Sequence, residues 1–293
     1  MLEIEAATSG SEAGAESARR VWFGGDLSDA WVVEIAESLP DNTLRVDLAG
    51  ELPEAWPESA RGARAVVLHR SLLTAGDVSR LSELRSSGAT SPRLVVCFGP
   101  LSRYRETQAA ASYADAVLPE SIAPEVASRR AGIAAGARLE PGRRPAIEVV
   151  SDNASLREML ADVCRAGGYR VSTSRTAAPP TRDGPAPIAV WDVPVLECEW
   201  SHALERRARF GPVVALLGFA DRALVLEARG AGASACLDLP CDIDDLVAVL
   251  DRVSRRAVEP DPSILRLEAA HRAPRGPRIV RAARRPTEPK PRT

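Results

Sequence analysis

The stretch Pro212-Val-Val-Ala-Leu-Leu-Gly-Phe-Ala-Asp-Arg-Ala-Leu-Val-Leu-Glu-Ala-Arg-Gly-Ala-Gly-Ala233, continued by Cys236-Leu-Asp-Leu-Pro-Cys-Asp-Ile-Asp-Asp-Leu246, decides the fold. It opens with an unbroken apolar run between a proline and a glycine, the pattern of a strand buried on both faces. A helical stretch follows and ends in Ala-Gly-Ala. The short strand Cys236 to Leu239 comes next, then a proline and an acidic helix start before Leu246. Buried strands that alternate with amphipathic helices predict a parallel sheet covered on both faces.

Working outward, the same alternation begins at Ile147-Glu-Val-Val150. A helix follows with a capping box at Ser155-x-x-Glu158 and with Leu156, Met159, Leu160 and Val163 on one face. Tyr169-Arg-Val-Ser172 and Ile188-Ala-Val-Trp191 are the second and third strands. An upstream block reads alike. It has the strand Val21-Trp-Phe23 and a helix with Val32, Ile35, Ala36 and Leu39 at helical spacing. Leu44 to Leu48 and Ala65-Val-Val-Leu68 are strands, a helix runs around Val78 to Leu84, and Arg93 to Phe98 is a buried strand. A helix through Arg105 to Ala111, the strand Ala116-Val-Leu118 and a helix after Pro119 complete it. Matching strand ends pairs Asp26 with Asp152, His69 with Asp192, Phe98 with Leu217, and Leu118-Pro119 with Leu239-Pro240. The offsets of 126, 123, 119 and 121 drift as loop-length changes would make them, which points to a duplication.

The expected architecture is therefore α/β: two tandem five-stranded, parallel, doubly wound domains with disordered N- and C-terminal tails. Residues 1–18, rich in Glu, Ala, Ser and Gly, are expected to be disordered. Residues 19–133 and 146–257 are the two domains, 134–145 a Pro/Gly/Arg linker, and 258–293 a disordered Arg/Pro-rich tail. A length of 293 residues suits two domains, and 45% hydrophobic with 27% charged residues is an ordinary globular balance.

Composition also excludes chemistry. Of 38 basic residues only Lys290 is a lysine, which leaves no lysine for a phosphate clamp, a Schiff base or a buried general base. Aromatics at 4% argue against base-stacking platforms. No apolar run approaches a membrane span and no signal pattern opens the chain, so a cytoplasmic location is expected. Cys97, Cys164, Cys198, Cys236 and Cys241 form no metal or disulfide spacing with one another or with His69, His202 and His271, and read as core thiols. Gly24-Gly25 echoes a nucleotide loop but lacks its remaining glycines.

At these motifs the second block resembles the receiver domain of two-component response regulators, a flavodoxin-like α/β fold; the first block resembles it through the duplication. The resemblance implies a site at the carboxyl ends of the strands. An acidic pair after strand 1 and an aspartate after strand 3 hold magnesium, and that aspartate accepts a phosphoryl group. A hydroxyl after strand 4 and a lysine before the proline after strand 5 grip the phosphoryl oxygens. Carried over residue by residue, the second block has Asp192 as phosphoacceptor, Asp152 and Asp192 as the metal-binding carboxylates, Ser151 in place of the other acid, Leu217 for the hydroxyl and Leu239 for the lysine. The first block has Gly25 and Asp26, His69, Phe98 and Leu118. Replacing the lysine by leucine removes a charge-assisted bond worth roughly 1.5–3 kcal/mol.

The structural reading of these residues has Asp192 cap a loop, Asp152 or Asn153 start a helix, and His69, which has no acid nearby in sequence, sit at a loop edge. The expected function is that of a non-catalytic signalling and interaction protein, not an enzyme and without a required cofactor. It resembles a two-component regulator with phosphorylation-independent pseudo-receiver domains. Its expected partners are signalling proteins such as a histidine kinase or another regulator, with no membrane. The face spanning Arg222 to Arg229 and Asp244 to Leu250 would offer a route to a homodimer. Two alternatives stand beside this reading. One is a weak phosphoacceptor in a phosphorelay at Asp192 with Mg2+ in the second domain. The other is nucleic-acid recruitment by the basic tail, where His271 to Thr293 carries eight Arg or Lys against Glu288 alone.

Overall fold

The structure is a computed structural model that describes residues 21–55, 57–60, 62–86, 92–133, 139–177 and 186–258. The expected tail 1–18 lies outside the described residues, as does the expected tail 258–293 except for Val258. Residues 134–138 of the expected linker lie outside them too; the rest of it contains a single 3-10 turn, Pro141–Arg143.

Among the described residues ten strands and eight α-helices form two all-parallel sheets. The first half runs β1 (Val21–Gly25), α1 (Ala30–Glu37), β2 (Leu44–Asp47), β3 (Ala65–Arg70), α2 (Ala75–Ser86), β4 (Arg93–Phe98), α3 (Tyr104–Ala110), β5 (Ala116–Pro119) and α4 (Ala123–Arg130). The second half runs β6 (Ile147–Val150), α5 (Ala154–Ala166), β7 (Val171–Ser174), β8 (Ile188–Asp192), α6 (Trp200–Ala208), β9 (Val213–Gly218), α7 (Arg222–Gly230), β10 (Ala235–Leu239) and α8 (Ile243–Val258). The strand orders are β2-β1-β3-β4-β5 and β7-β6-β8-β9-β10, the same doubly wound 2-1-3-4-5 order in each half. Both halves are receiver-like in topology.

Local sequence explains the elements. The apolar strands β3, β4, β8 and β9 are buried along nearly their whole length because helices cover both faces. The second strand of each half, at the sheet edge, is more exposed. Helix α1 buries Trp31, Val32, Ile35 and Ala36 on one stripe, as its periodicity predicts. Helix α5 starts at Asn153, one of the two starts expected, but departs from the expected capping box and apolar face. Its N-cap is Asn153, whose side chain accepts from the Leu156 amide, so Ser155 falls inside the first turn and makes no capping box. The helix buries Leu160, Ala161 and Cys164, while Met159 is left exposed. Between β2 and β3 the described residues form a 3-10 turn, Glu58–Ala60.

Both halves belong to one compact unit. One face of the first sheet closes on Leu81, Leu84 and Ala110 from α2 and α3. The other face, under α1 and α4, contributes to an apolar cluster that runs without a break into the core of the second half.

Candidate functional site

Strand register fixes which residues of the two halves are equivalent. His69 pairs with Cys97 across β3 and β4, and Asp192 pairs with Leu216 across β8 and β9, so the expected offsets of 123 and 119 hold. The fifth strand differs. Leu239 pairs with Gly218, whereas Phe98 pairs with Pro119 and the next amide, that of Glu120, donates to the Phe98 carbonyl. The offset there is 119, not 121, so the residue of the first half equivalent to Leu239 is Glu120 rather than Leu118. The repeated Leu-Pro pair had aligned the two strands two residues out of step.

That shift changes the chemistry of the first edge. His69 is buried at the end of β3, not at a loop edge, and its Nε2 lies 2.8 Å from Glu120 Oε2. A basic side chain thus occupies the acceptor place and an acid the lysine place. Glu120 also accepts two bonds from Arg222 of α7, at 2.5 and 2.8 Å, and its carbonyl accepts from the Trp31 indole at 2.9 Å. Burial alone would raise the Glu120 carboxyl, but the bonds from His69 and Arg222 outweigh it and hold it below the usual range. Asp29, the N-cap of α1, binds the remaining arm of Arg222 at 2.7 Å. Asp26 turns away into a local turn, accepting from the Ser28 amide and hydroxyl at 3.0 and 2.6 Å. Gly24 and Gly25 are packing glycines: a Cβ on Gly24 would stand 2.5 Å from Leu48 Cδ1, and one on Gly25 2.8 Å from Val32 Cγ1. No phosphate loop is built there.

At the second edge the Ser151 hydroxyl donates to Asp192 Oδ2 at 2.7 Å. The same hydroxyl accepts from the Asn153 amide at 3.1 Å, so the serine joins the strand end to the helix cap. Asp152 faces solvent, 3.7 Å from Arg175. Leu217 is fully buried and Leu239 half-buried. Asp238, beside Leu239, accepts from the Ala220 amide at 3.0 Å, and burial raises its carboxyl above the usual value. Magnesium needs close to six oxygens, with carboxylates converging on it. Asp192 and Asp152 fit that demand poorly, one bonded to Ser151 and the other turned outward; no group of three potential ligands converges among the described residues.

The cysteines divide. Cys97, Cys164 and Cys236 are buried core thiols as expected, whereas Cys198 is exposed and Cys241 half-buried. Burial pushes the Cys97 and Cys164 thiols up to about 12 and Cys236 to about 11, far from thiolate reactivity.

The halves meet through a set of arginines that sequence reading did not connect to any partner. Arg229 of α7 binds Glu34 of α1 and Glu125 of α4, the latter at 3.0 Å, and Arg252 of α8 binds the same Glu125. Arg129 and Arg130 of α4 grip the buried Asp245 at 2.6 and 2.7 Å. Trp31 lies under both Arg222 and Arg229, with guanidinium carbons 5.9 and 5.2 Å from its ring centre. The surface expected to offer a route to a homodimer, Arg222 to Arg229 and Asp244 to Leu250, is therefore occupied in large part by the first half of the same chain.

No protein-family model matches the chain, and no curated protein matches it. Solved structures do. A CheY-like receiver domain protein from Methanospirillum hungatei JF-1 is 18% identical over 39% of this chain and 96% of its own, with a TM-score of 0.35. A putative pilus assembly protein (cpaE) from Burkholderia thailandensis E264 is 28% identical over 37% of this chain and 97% of its own, with a TM-score of 0.34. Chemotaxis protein CheY4 of Vibrio cholerae is 21% identical over 38% and 98%, with a TM-score of 0.31.

Proposed function

We propose that this chain is a non-catalytic signalling and interaction protein, a regulator of the two-component type whose paired pseudo-receiver domains act by binding other signalling proteins, without phosphorylation. One observation carries the reading. Among the described residues neither half sets a side-chain cation beside a free acceptor carboxylate: the first has His69 bonded to Glu120, and the second has Asp192 bonded to Ser151 with Leu217 and Leu239 in the gripping positions. A phosphoryl dianion arriving at Asp192 would meet no side-chain cation at Leu239, where a charge-assisted bond contributes roughly 1.5–3 kcal/mol. The partners this suggests are a histidine kinase or another regulator. Among the described residues no helix is long and apolar enough to cross a membrane.

The alternative, a weak phosphorelay acceptor with Mg2+ at Asp152 and Asp192, draws on the partial exposure of Asp192 at the carboxyl edge of β8. Incubation with acetyl phosphate and magnesium followed by intact-mass measurement separates the two. No phosphoryl mass gain is expected; a gain that disappears in Asp192→Asn would overturn the phosphorylation-independent reading. Nucleic-acid recruitment by residues 259–293 is the remaining alternative. It fails if their deletion leaves salt-dependent retention on DNA unchanged.

A further inference from the structure

Where the two halves meet, a cavity of about 500 Å3 remains open, within the size range of small-molecule sites. Its walls come from both halves: Glu34 and Glu37 of α1 and Glu125 of α4 on one side, Arg229, Ser234, Arg252 and Arg256 on the other. The arginines are not equally engaged. Arg229 is matched by Glu34 and Glu125. Arg252 gives both Nη atoms to Glu125, but its Nε is buried without an acceptor. Arg256, one turn further along α8 on the same side, is exposed and has no ion pair among the described residues. Ser234 accepts a long bond of 3.4 Å from the Val213 amide, which leaves its own hydroxyl proton to be donated.

Beyond these pairs, the Arg252 Nε, the Arg256 guanidinium and the Ser234 hydroxyl remain as donors without a matched acceptor among the described residues. Burial, with Arg256 and Arg255 close by, pulls the Arg252 guanidinium down to about 10, an imbalance that an anion would relieve. Guanidinium forks match phosphate oxygens in geometry as well as charge. The facing Glu37 is exposed and sets a limit: it repels a bare polyanion but accepts from a hydroxyl or amino group.

We propose that this cleft binds a phosphorylated small molecule that also carries hydrogen-bond donors, with its phosphoryl group on Arg252, Arg256 and Ser234 and its hydroxyl or amino groups facing Glu37. Sugar phosphates and nucleoside monophosphates share that chemistry. Because the walls belong to both halves, the ligand holds them together. Thermal unfolding of the full chain at constant ionic strength, set with KCl, tests this. Ribose 5-phosphate or AMP at millimolar concentration is expected to raise Tm by about 2 °C or more, as a ligand selective for the folded state must. Adenosine is expected to leave it unchanged. Arg256→Glu, at an exposed position, is expected to have an unliganded Tm no lower than that of the wild type and to lose the shift. Which phosphate works separates the two sources. The proposal is overturned if neither raises Tm, if adenosine does so equally, or if Arg256→Glu retains the full shift. An equal shift with inorganic phosphate alone would remove the role given to Glu37.

Discussion

Glu120 ties the edge of the first sheet to both halves of the molecule. Its carboxylate accepts from His69 of its own half and Arg222 of the other, and its carbonyl holds the Trp31 indole. Because those bonds keep its folded pKa below the ordinary 4.5, Glu120 contributes stability that is present above that value and is lost as pH falls through the folded pKa. Glu120→Gln keeps the shape and removes the charge. It is expected to cost about 1.5–3 kcal/mol at pH 7, the range for hydrogen bonds to charged groups. In urea titrations the gap between wild type and variant should narrow below pH 4.5. A gap of the same size at pH 7 and pH 3.5 would show that the charge is not what matters. None of this was legible locally, since 51 residues separate His69 from Glu120 and the Leu-Pro repeat pointed to Leu118 instead.

At the scale of elements, the periodicities of the sequence placed the ten strands and the stripe of α1, because burial on one or both faces leaves a pattern that survives in the residues themselves. Ends and registers were less legible. They are fixed by hydrogen bonds that the pattern does not encode, as the shift of β5 against β10 and the start of α5 both show. Asn153 and Ser155 are both good cap residues; Asn153 takes the position because Ser151 receives its amide and sets the turn. Asn153→Ala is expected to lower stability by about 1 kcal/mol, while Ser155→Ala, inside the first turn, should be neutral or slightly stabilising because alanine is the better helix former. Urea unfolding of the two variants decides this, and the reverse ranking would restore the capping box read from Ser155 and Glu158.

At the scale of the whole molecule, the arginine-rich composition acquires a physical role that counting alone did not provide. The partner of Arg229 on α1 lies 195 residues away in sequence, and that of Arg222 on Glu120 lies 102 away, so no local pattern could announce the interface. Arginine suits it: the charge persists at every relevant pH, one fork bridges two acids, and the flat face stacks on Trp31. Together with the continuous apolar cluster, these pairs should make the halves unfold as one cooperative unit. Arg229→Glu would set a new carboxylate against Glu34 and Glu125 in a partly buried position. Breaking a fully buried pair costs about 3–5 kcal/mol, an upper bound at this partly exposed site, and 1 M salt, which screens exposed pairs, should disturb the wild-type interface less than the charge reversal does. Calorimetry of the full chain is expected to give one transition for the wild type and, for Arg229→Glu, either a markedly lower Tm or two separated transitions. Two transitions already in the wild type, or a variant that melts as the wild type does, would mean that the halves are joined by the chain and the apolar contact alone.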